Sequence, residues 1–552
     1  MAHRQEAVDT VWKAAAYGEF EALKRLADAN PQLLHEPDEQ GYYAVQWAAL
    51  NNRVAVLNYL IDAGCDVNAA DRTGQTALHW TAVRGSMSAL ETLLRQGADV
   101  AAVDSRGYTL CHVAAQYGHT GVLYHLALKW GVDLDAPDFD GRTSLHWAAY
   151  KGFADTIRLL LVMGCRCNLA DKEGCTPLHW AAIRGNAEAC TVLLQGGADE
   201  VLQQADNTGA TPSQLAIEKG HRLLGLNLAE YKYKQERASR ERSLLARLHL
   251  SPIIWGLILV LLVVFQYKVL QLPHLPPPTS WAIFGSWLTF ILAGIGLYFL
   301  YRTTVADPGF LPRGNERGGS KGSKGSSQGQ VQHKSSSKPE SSSEQSTSQF
   351  SKSLDSPALW AGQWNQLCVS CKIVRPLRAK HCSVTGRCVQ CYDHYCPWVG
   401  NCVGKGNRHF FLIFLWLELG AIAASALVAV ARIHAAVRLG GNPSGLTLAW
   451  PIMFIVVDVF LLLSVAALAI AQASQVVRNM TTNEMANWHR YKYLHDSDGD
   501  FHNPFDHGWR ANCGEVCAPH RAPQAPYVLR RQESETMALL KMEQGTAGSG
   551  SL

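Results

Sequence analysis

Residues 368–407 read CVSCKIVRPLRAKHCSVTGRCVQCYDHYCPWVGNCVGKGN, from Cys368 to Asn407. Seven of the chain's fifteen cysteines fall here, in Cys-x2-Cys and His-Cys spacings. That clustering is the habit of metal ligands in a reducing compartment, not of a secreted disulfide scaffold. Cys368, Cys371, His381 and Cys388 make a Cys3His set, a knuckle followed by a loop, which suits a closed tetrahedral zinc site. A Cys-x2-Cys turn presents two thiolates to one ion without strain, and soft thiolates select zinc over harder ions.

Cys396 asks for a different account. It stands two residues after His394 and three after Asp393. An aspartate that orients a histidine, which in turn deprotonates a thiol, is the logic of an activated nucleophile. In a zinc-ordered loop at the mouth of a membrane helix, such a thiol can meet a thioester whose acyl tail lies in the bilayer. The cysteine-rich segment so defined spans 363–409.

Four apolar stretches flank it, at about 252–271, 281–301, 410–431 and 450–473, each near the roughly 20 residues a helix needs to cross a bilayer. An even number returns the chain to its starting side. Lys232, Lys234 and the arginines from Arg237 to Arg247 crowd a basic helical linker at 231–251, whereas 271–280 carries no Lys or Arg. This bias places both termini and the cysteine-rich segment in the cytosol. Arg432 and Arg438, assigned to the second lumenal loop, run against it. Glu418 and Asp458 fall inside spans, where ionisable groups are costly; either they pair or hydrogen-bond between helices, or they line an acyl cavity. The stretch 313–357 is Ser, Gly and Lys with few apolar residues and is expected to be disordered, as is 519–552. Averaging over such unlike parts leaves a net charge of +4 and conceals the membrane segments.

The N-terminal part repeats itself. Asp38, Asp71, Asp104, Asp138, Asp171 and Asp206 stand 33 to 35 residues apart, and most copies read D-x-x-G-x-T-x-L-H-x-A-A. Period and motif resemble ankyrin repeats, about six with a degenerate first copy near Val8 to Leu34, forming one solenoid over 8–230. Glycine supplies the tight turn, Thr and His close hydrogen bonds around the helix start, and Leu and Ala stack on the next repeat. Such solenoids bind proteins. Trp47, Trp80, Trp147 and Trp180 recur at one position. Either they form an aromatic ladder for an extended peptide, with Trp80 and the Asn51 and Asn52 amides as contacts, or they fill the stacking core.

With these pieces in view, the cysteine-rich segment resembles that of the DHHC-type protein S-acyltransferases, specifically the subgroup with N-terminal ankyrin repeats. The likeness extends to Asp307-Pro308-Gly309 after the second span and Thr481-Thr482-Asn483-Glu484 after the fourth. In the cytosolic tail, 474–518, it takes in Asn503-Pro504-Phe505-Asp506 and Asn512. It implies a palmitoyltransferase in which acyl-CoA is the donor, Cys396 carries the acyl group, His394 is the general base and Asp393 orients it. The acceptors would be membrane-proximal cysteines of proteins recruited through the repeats, with no nucleic acid involved. Arg375, Arg378 and Lys380 are then partners for CoA phosphates, or else solvated loop charges. Golgi or another endomembrane is the implied location. The rival is a catalytically weak membrane adaptor; an ion channel is disfavoured because nothing in the spans resembles a pore loop.

The family signature Asp-His-His-Cys is broken here at Tyr395. By the resemblance, that second histidine belongs to another zinc site with Cys382, Cys402 and a cysteine where this chain has Thr385. A hydroxyl and a phenol bind zinc poorly at neutral pH, so one zinc is expected, not two, unless Cys391 joins Cys382 and Cys402 in rescuing the site. An Asp-His-Cys set left intact beside an eroded structural site is the wrong erosion for a dead enzyme. The expected fold class is all-α: an ankyrin solenoid, then a polytopic domain of four transmembrane helices carrying a zinc-binding cytosolic segment.

Overall fold

A computed structural model describes residues 9–231, 233, 251–271, 277–314, 355–438, 445–496 and 498–518. Nearly all of the linker 231–251, most of 313–357 and all of 519–552 lie outside the described residues. The chain divides into two units, 1–236 with 318–374, and 237–317 with 375–552.

In the first unit each repeat is built around its aspartate. Asp71 Oδ1 accepts the N–H groups of Thr73 and Gln75 at 2.8 and 3.1 Å, and the same two-and-four pattern recurs at Asp38, Asp104, Asp138, Asp171 and Asp206. An aspartate that bonds its own downstream amides imposes a turn. Gly74 follows at φ +79, where a Cβ would lie 2.9 Å from the Ser105 backbone nitrogen, so only glycine lets the next turn approach. The helix then starts on Thr76, whose N–H donates to His79 Nδ1 at 3.2 Å. That fixes the proton on Nε2, which donates to the Tyr108 carbonyl of the next repeat at 3.0 Å. Burial lowers the affinity of these histidines for a second proton; His146 is brought down to about 4. They are neutral staples between repeats. Inner helices such as Ala44–Leu50, Ala77–Arg84 and Leu110–Tyr117 stack through buried Ala and Leu in one continuous core.

The unit does not end with the repeats. Helix Pro357–Trp360 and strands β1 (Leu367–Cys368) and β2 (Ile373–Val374) join it, with Leu359, Leu367 and Val369 buried in the ankyrin core. Trp360 and Trp364 close edge-on against Tyr124 at 4.7 and 5.4 Å, and the Tyr124 hydroxyl accepts the Ser356 N–H. The start of the cysteine-rich segment is thus seated on the repeats.

Among its described residues the second unit holds four helices long and apolar enough to cross a membrane: Pro252–Leu270, Ser280–Val305, Arg408–Arg438 and Leu448–Val477. The third runs further than its sequence suggested. Arg432 and Arg438 belong to this helix and not to a loop, and Arg432 is buried, so the charge they set against the orientation bias is not a loop charge. Asp458 accepts the Ser425 hydroxyl at 2.6 Å, an interhelical hydrogen bond. Glu418 faces the second helix, where a Cβ on Gly296 would meet Oε1 at 2.6 Å, and that oxygen has no partner among the described residues. Among the described residues the all-α expectation is modified by small two-stranded ladders in the cysteine-rich segment.

Candidate active site

Strand β3 (His394–Cys396) pairs antiparallel with β4 (Asn401–Val403), Tyr395 opposite Cys402 and Cys396 opposite Asn401. Alternation along a strand sends His394 and Cys396 to one face and Tyr395 to the other. One tripeptide therefore serves two environments.

On the first face, His394 Nδ1 meets Asp393 Oδ2 at 2.7 Å, which leaves Nε2 for the Cys396 thiol, within hydrogen-bonding reach of the ring. Burial alone would lower the basicity of His394, but hydrogen bonds and charge from Asp393 and Cys396 raise it to about 9. Burial alone would likewise raise the Asp393 carboxyl, yet the His394 hydrogen bond, the Arg408 and His394 charges and the Thr482 N–H hold it at about 2. It is an ionised orienting carboxylate. Thr482 bonds both Asp393 oxygens, at 2.8 and 2.7 Å, and Gln472 donates to Thr482 at 3.1 Å. Cys396 is buried in an apolar cluster with Leu297 and Leu300 of the second long helix, Phe411, Phe414 and Leu415 of the third and Ala469 of the fourth; Ile254, Trp255 and Ile258 of the first pack against it. A thiol there has a proton acceptor on one side and hydrocarbon on the other. The arrangement is chemically that of a nucleophile for an acyl group with a long tail.

The flanking motifs hold this strand pair. Asp307 Oδ1 accepts from Gly309 and Phe310, the Pro308 carbonyl accepts from Gly406, and Gly309, at φ +101, accepts from Gln390. Asn401 donates to the carbonyls of Thr303, Thr304 and Ala306 at the end of the second long helix. Thr481 and Glu484 form a capping box. Asn512, fully buried, donates to Val477 and Asp506, and Asn503 donates to Arg478, which closes the tail over the end of the fourth helix.

Cys368, Cys371, His381 and Cys388 bring one ligand atom each to within 4.8 Å of one another. Three thiols and an imidazole, largely buried, are the donor set and closeness that zinc requires. The other candidate set is different. Cys382 and Cys402 are buried, with Tyr395, Tyr392 and Phe310 packed around them. The Thr385 hydroxyl lies 3.7 Å from Cys402. The two thiols bond each other: the Cys402 S–H draws Cys382 down to about 5, and that hydrogen bond, burial and the Cys382 charge push Cys402 well up. Cys391 sits at a left-handed turn, φ +44. Two thiols, a hydroxyl and a phenol do not fit a zinc ion.

The three cations proposed for CoA part company. Arg378 is 9% exposed; its Nε and Nη2 form a two-point ion pair with Glu484 at 2.8 and 2.9 Å, and Nη1 donates to Asn479. A guanidinium so engaged and stacked on Phe505 has its donors turned to protein partners. Lys380 donates to Asn483 at 2.5 Å, and Arg375 is half-buried. On the repeats, Trp80 is half-buried and its indole donates to Asp71 Oδ2 at 3.0 Å; Trp47, Trp147 and Trp180 do the same to Asp38, Asp138 and Asp171. The tryptophans therefore belong to neither extreme: each is pinned by its own repeat, and Trp47 and Trp147 also lean on the core. The Asn52 amide oxygen is taken by the Ala89 N–H.

Comparison with known proteins follows this geometry. The DHHC palmitoyltransferase model matches residues 363–489, and the ankyrin-repeat model matches 11–104, 82–171 and 145–235. "Probable protein S-acyltransferase 23" of Arabidopsis thaliana is 38% identical over 518 residues, 92% of each chain. "Palmitoyltransferase ZDHHC17" of Danio rerio is 35% identical over 155 residues, 26% of this chain and 25% of that one. "Palmitoyltransferase ZDHHC9" of Homo sapiens is 36% identical over 169 residues, 30% of this chain and 44% of that one. Likeness sustained over nearly the full length of both chains, with both domain types in place, makes this protein a member of the ankyrin-bearing DHHC palmitoyltransferase family.

Proposed function

We propose that this membrane enzyme moves a long acyl group, palmitate or a similar chain, from acyl-CoA to protein cysteines through an S-acyl intermediate on Cys396. The observation that carries the proposal is the Asp393–His394–Cys396 relay opening on an apolar cluster drawn from all four long helices. His394 takes the Cys396 proton, the thiolate attacks the thioester carbonyl, the C–S bond to CoA breaks, and CoA leaves as a thiol with the proton from His394. An incoming cysteine then gives its proton to His394 and takes the acyl group, which restores the Cys396 thiol. Placement supplies much of the rate, because the tail in hydrocarbon fixes the thioester at the membrane surface. Lys380, with two ammonium hydrogens beyond the one given to Asn483, and Arg375 are assigned to CoA phosphates.

One zinc per chain, on Cys368, Cys371, His381 and Cys388, braces the segment. The repeats recruit substrates, with Trp80 offering a ring face and Asn52 an exposed edge. The catalytic segment and both termini lie in the cytosol, on Golgi or another endomembrane. Nothing in the site favours an inactive adaptor over an enzyme, since the relay is complete.

The test is direct. Purified full-length protein given labelled palmitoyl-CoA should gain hydroxylamine-sensitive label, and Cys396→Ser should gain none; full labelling of that variant would remove Cys396 from the mechanism.

A further inference from the structure

Arg408 belongs to no motif, and its position is a costly one. It is the first residue of the 31-residue helix Arg408–Arg438, where a cation meets the positive end of the helix dipole, and the first turn has no acidic residue to offset it. It is only 6% exposed. Its Nη2 donates to the Met480 carbonyl at 2.6 Å and stands 3.5 Å from Asp393 Oδ1, while Nε has no partner among the described residues. The other charged groups around it are Arg378 and Glu484. Arg378 and Glu484 are spent on each other, which leaves Asp393 as the countercharge of Arg408.

Asp393 is thereby shared. Oδ2 faces His394 and the Thr482 hydroxyl; Oδ1 faces the Thr482 N–H and Arg408. A carboxylate that faces a guanidinium as well as an imidazolium holds the imidazolium less firmly than one facing it alone. His394 must lose its proton in every cycle, because an acylated Cys396 can be relieved only by a nucleophile whose proton the neutral ring accepts.

We propose that Arg408 is a positioning residue for the Asp393–His394–Cys396 set: it seats Asp393 from the side opposite the imidazole and, by sharing the carboxylate's charge, lets His394 return to the neutral base that relieves the acyl-enzyme. This rests on Cys396 as the acyl carrier.

The reaction that isolates the effect is hydrolysis of the acyl-enzyme. Water attacks the thioester carbonyl, His394 takes the water proton, the C–S bond breaks, the fatty acid leaves, and Cys396 regains the proton from His394. No thiolate competes at the start, so the acid limb of the rate reports His394 facing Asp393 and Arg408. Full-length protein in detergent micelles would be loaded with labelled palmitoyl-CoA, freed of excess, and followed for loss of label across pH. For Arg408→Gln and Arg408→Met the acid limb should move up by about one unit, which lowers the rate near neutrality about tenfold and spares the alkaline plateau. Arg408→Lys should bring the limb back toward the wild-type position, and Asp393→Asn should move it down. Gln keeps an N–H donor for Met480, so it preserves that contact where Met does not; zinc content and gel filtration check that both variants are folded. A lowered amplitude with an unmoved limb in the neutral variants would reduce Arg408 to a packing residue and overturn the proposal. Failure of the wild type to load Cys396 at all would instead remove the acyl-carrier assignment, a distinct result.

Discussion

Thr482 gives Asp393 both of its donors, the backbone N–H to Oδ1 at 2.8 Å and the hydroxyl to Oδ2 at 2.7 Å. The turn after the fourth long helix thereby joins the hydrogen-bonded set of Asp393 and His394 proposed for catalysis, although 89 residues separate Thr482 from Asp393 in sequence. Thr481 and Glu484 hold that turn by reciprocal capping, and Glu484 extends the tie to Arg378.

Removing the Thr482 hydroxyl takes one donor from a buried, ionised carboxylate. Hydrogen bonds to charged groups contribute about 1.5–3 kcal/mol, so Thr482→Val should slow acyl transfer on the order of ten- to a hundredfold, while Thr482→Ser stays near the wild-type rate. Single-turnover labelling of Cys396 measures it. Equal rates for Val and Ser would mean that the backbone N–H alone holds Asp393.

The relay also makes stability depend on pH, with a sign that can be worked out. His394 sits at about 9 in the fold, against about 6.5 when unfolded; its contribution is complete below about 6.5 and is lost as pH rises through about 9. Asp393, at about 2 against about 3.9 unfolded, contributes above about 3.9 and loses it as pH falls through about 2. Both are complete between those windows. Thermal unfolding of the full chain should therefore weaken on the alkaline side, and Asp393→Asn should flatten that slope because the carboxylate that raises His394 is gone. A wild-type melting curve that ignores pH between about 6.5 and 9 would contradict the pairing. The same variant should lose about 10²- to 10⁴-fold in rate, the scale of a misdirected general base.

Much of this was legible in the chain because local chemistry dictates it. The turn and capping residues recur in most repeats, and Cys-x2-Cys and His-x-Cys spacings act over a few bonds. What escaped is tertiary. The aspartates mark the repeat period in the sequence, yet each carboxylate organises a turn with one oxygen, and Asp38, Asp71, Asp138 and Asp171 hold a tryptophan nine residues on with the other. Trp360 and Trp364 lay at the edge of a polar stretch and gave no sign that they would seat on Tyr124. Arg378 resembled a free phosphate ligand because its partner, Glu484, lies 106 residues away. Arg408 was hidden because a cation at the head of an apolar helix looks like a membrane-edge anchor until Asp393 is found beside it.

The Arg378–Glu484 pair offers a test that separates structure from CoA binding. Breaking a buried ion pair from one side leaves an unpaired charge and costs about 3–5 kcal/mol. Arg378→Ala and Glu484→Ala should each lower the unfolding midpoint sharply, and the double variant should recover part of the loss. Protein that remains folded should keep the wild-type dependence on acyl-CoA concentration. If Arg378→Ala instead raised the KM for acyl-CoA with little change in melting, the guanidinium would belong to the donor site after all.

The last prediction concerns metal count. Cys368, Cys371, His381 and Cys388 converge as four good donors, whereas Cys382 and Cys402 bond each other beside a threonine and a tyrosine. Elemental analysis should find one zinc per chain. Cys388→Ala should lose it and melt early, because ligand deprotonation and metal binding are coupled to folding. Cys382→Ser and Cys402→Ser should each retain one zinc and pay only for the lost thiol contact. The strand alternation that aims Tyr395 at this thiol pair also aims His394 and Cys396 away from it, so these serine variants should still accept an acyl group on Cys396. Two zincs in the wild type, falling to one in either serine variant, would show that Cys382 and Cys402 bind metal despite Thr385 and Tyr395.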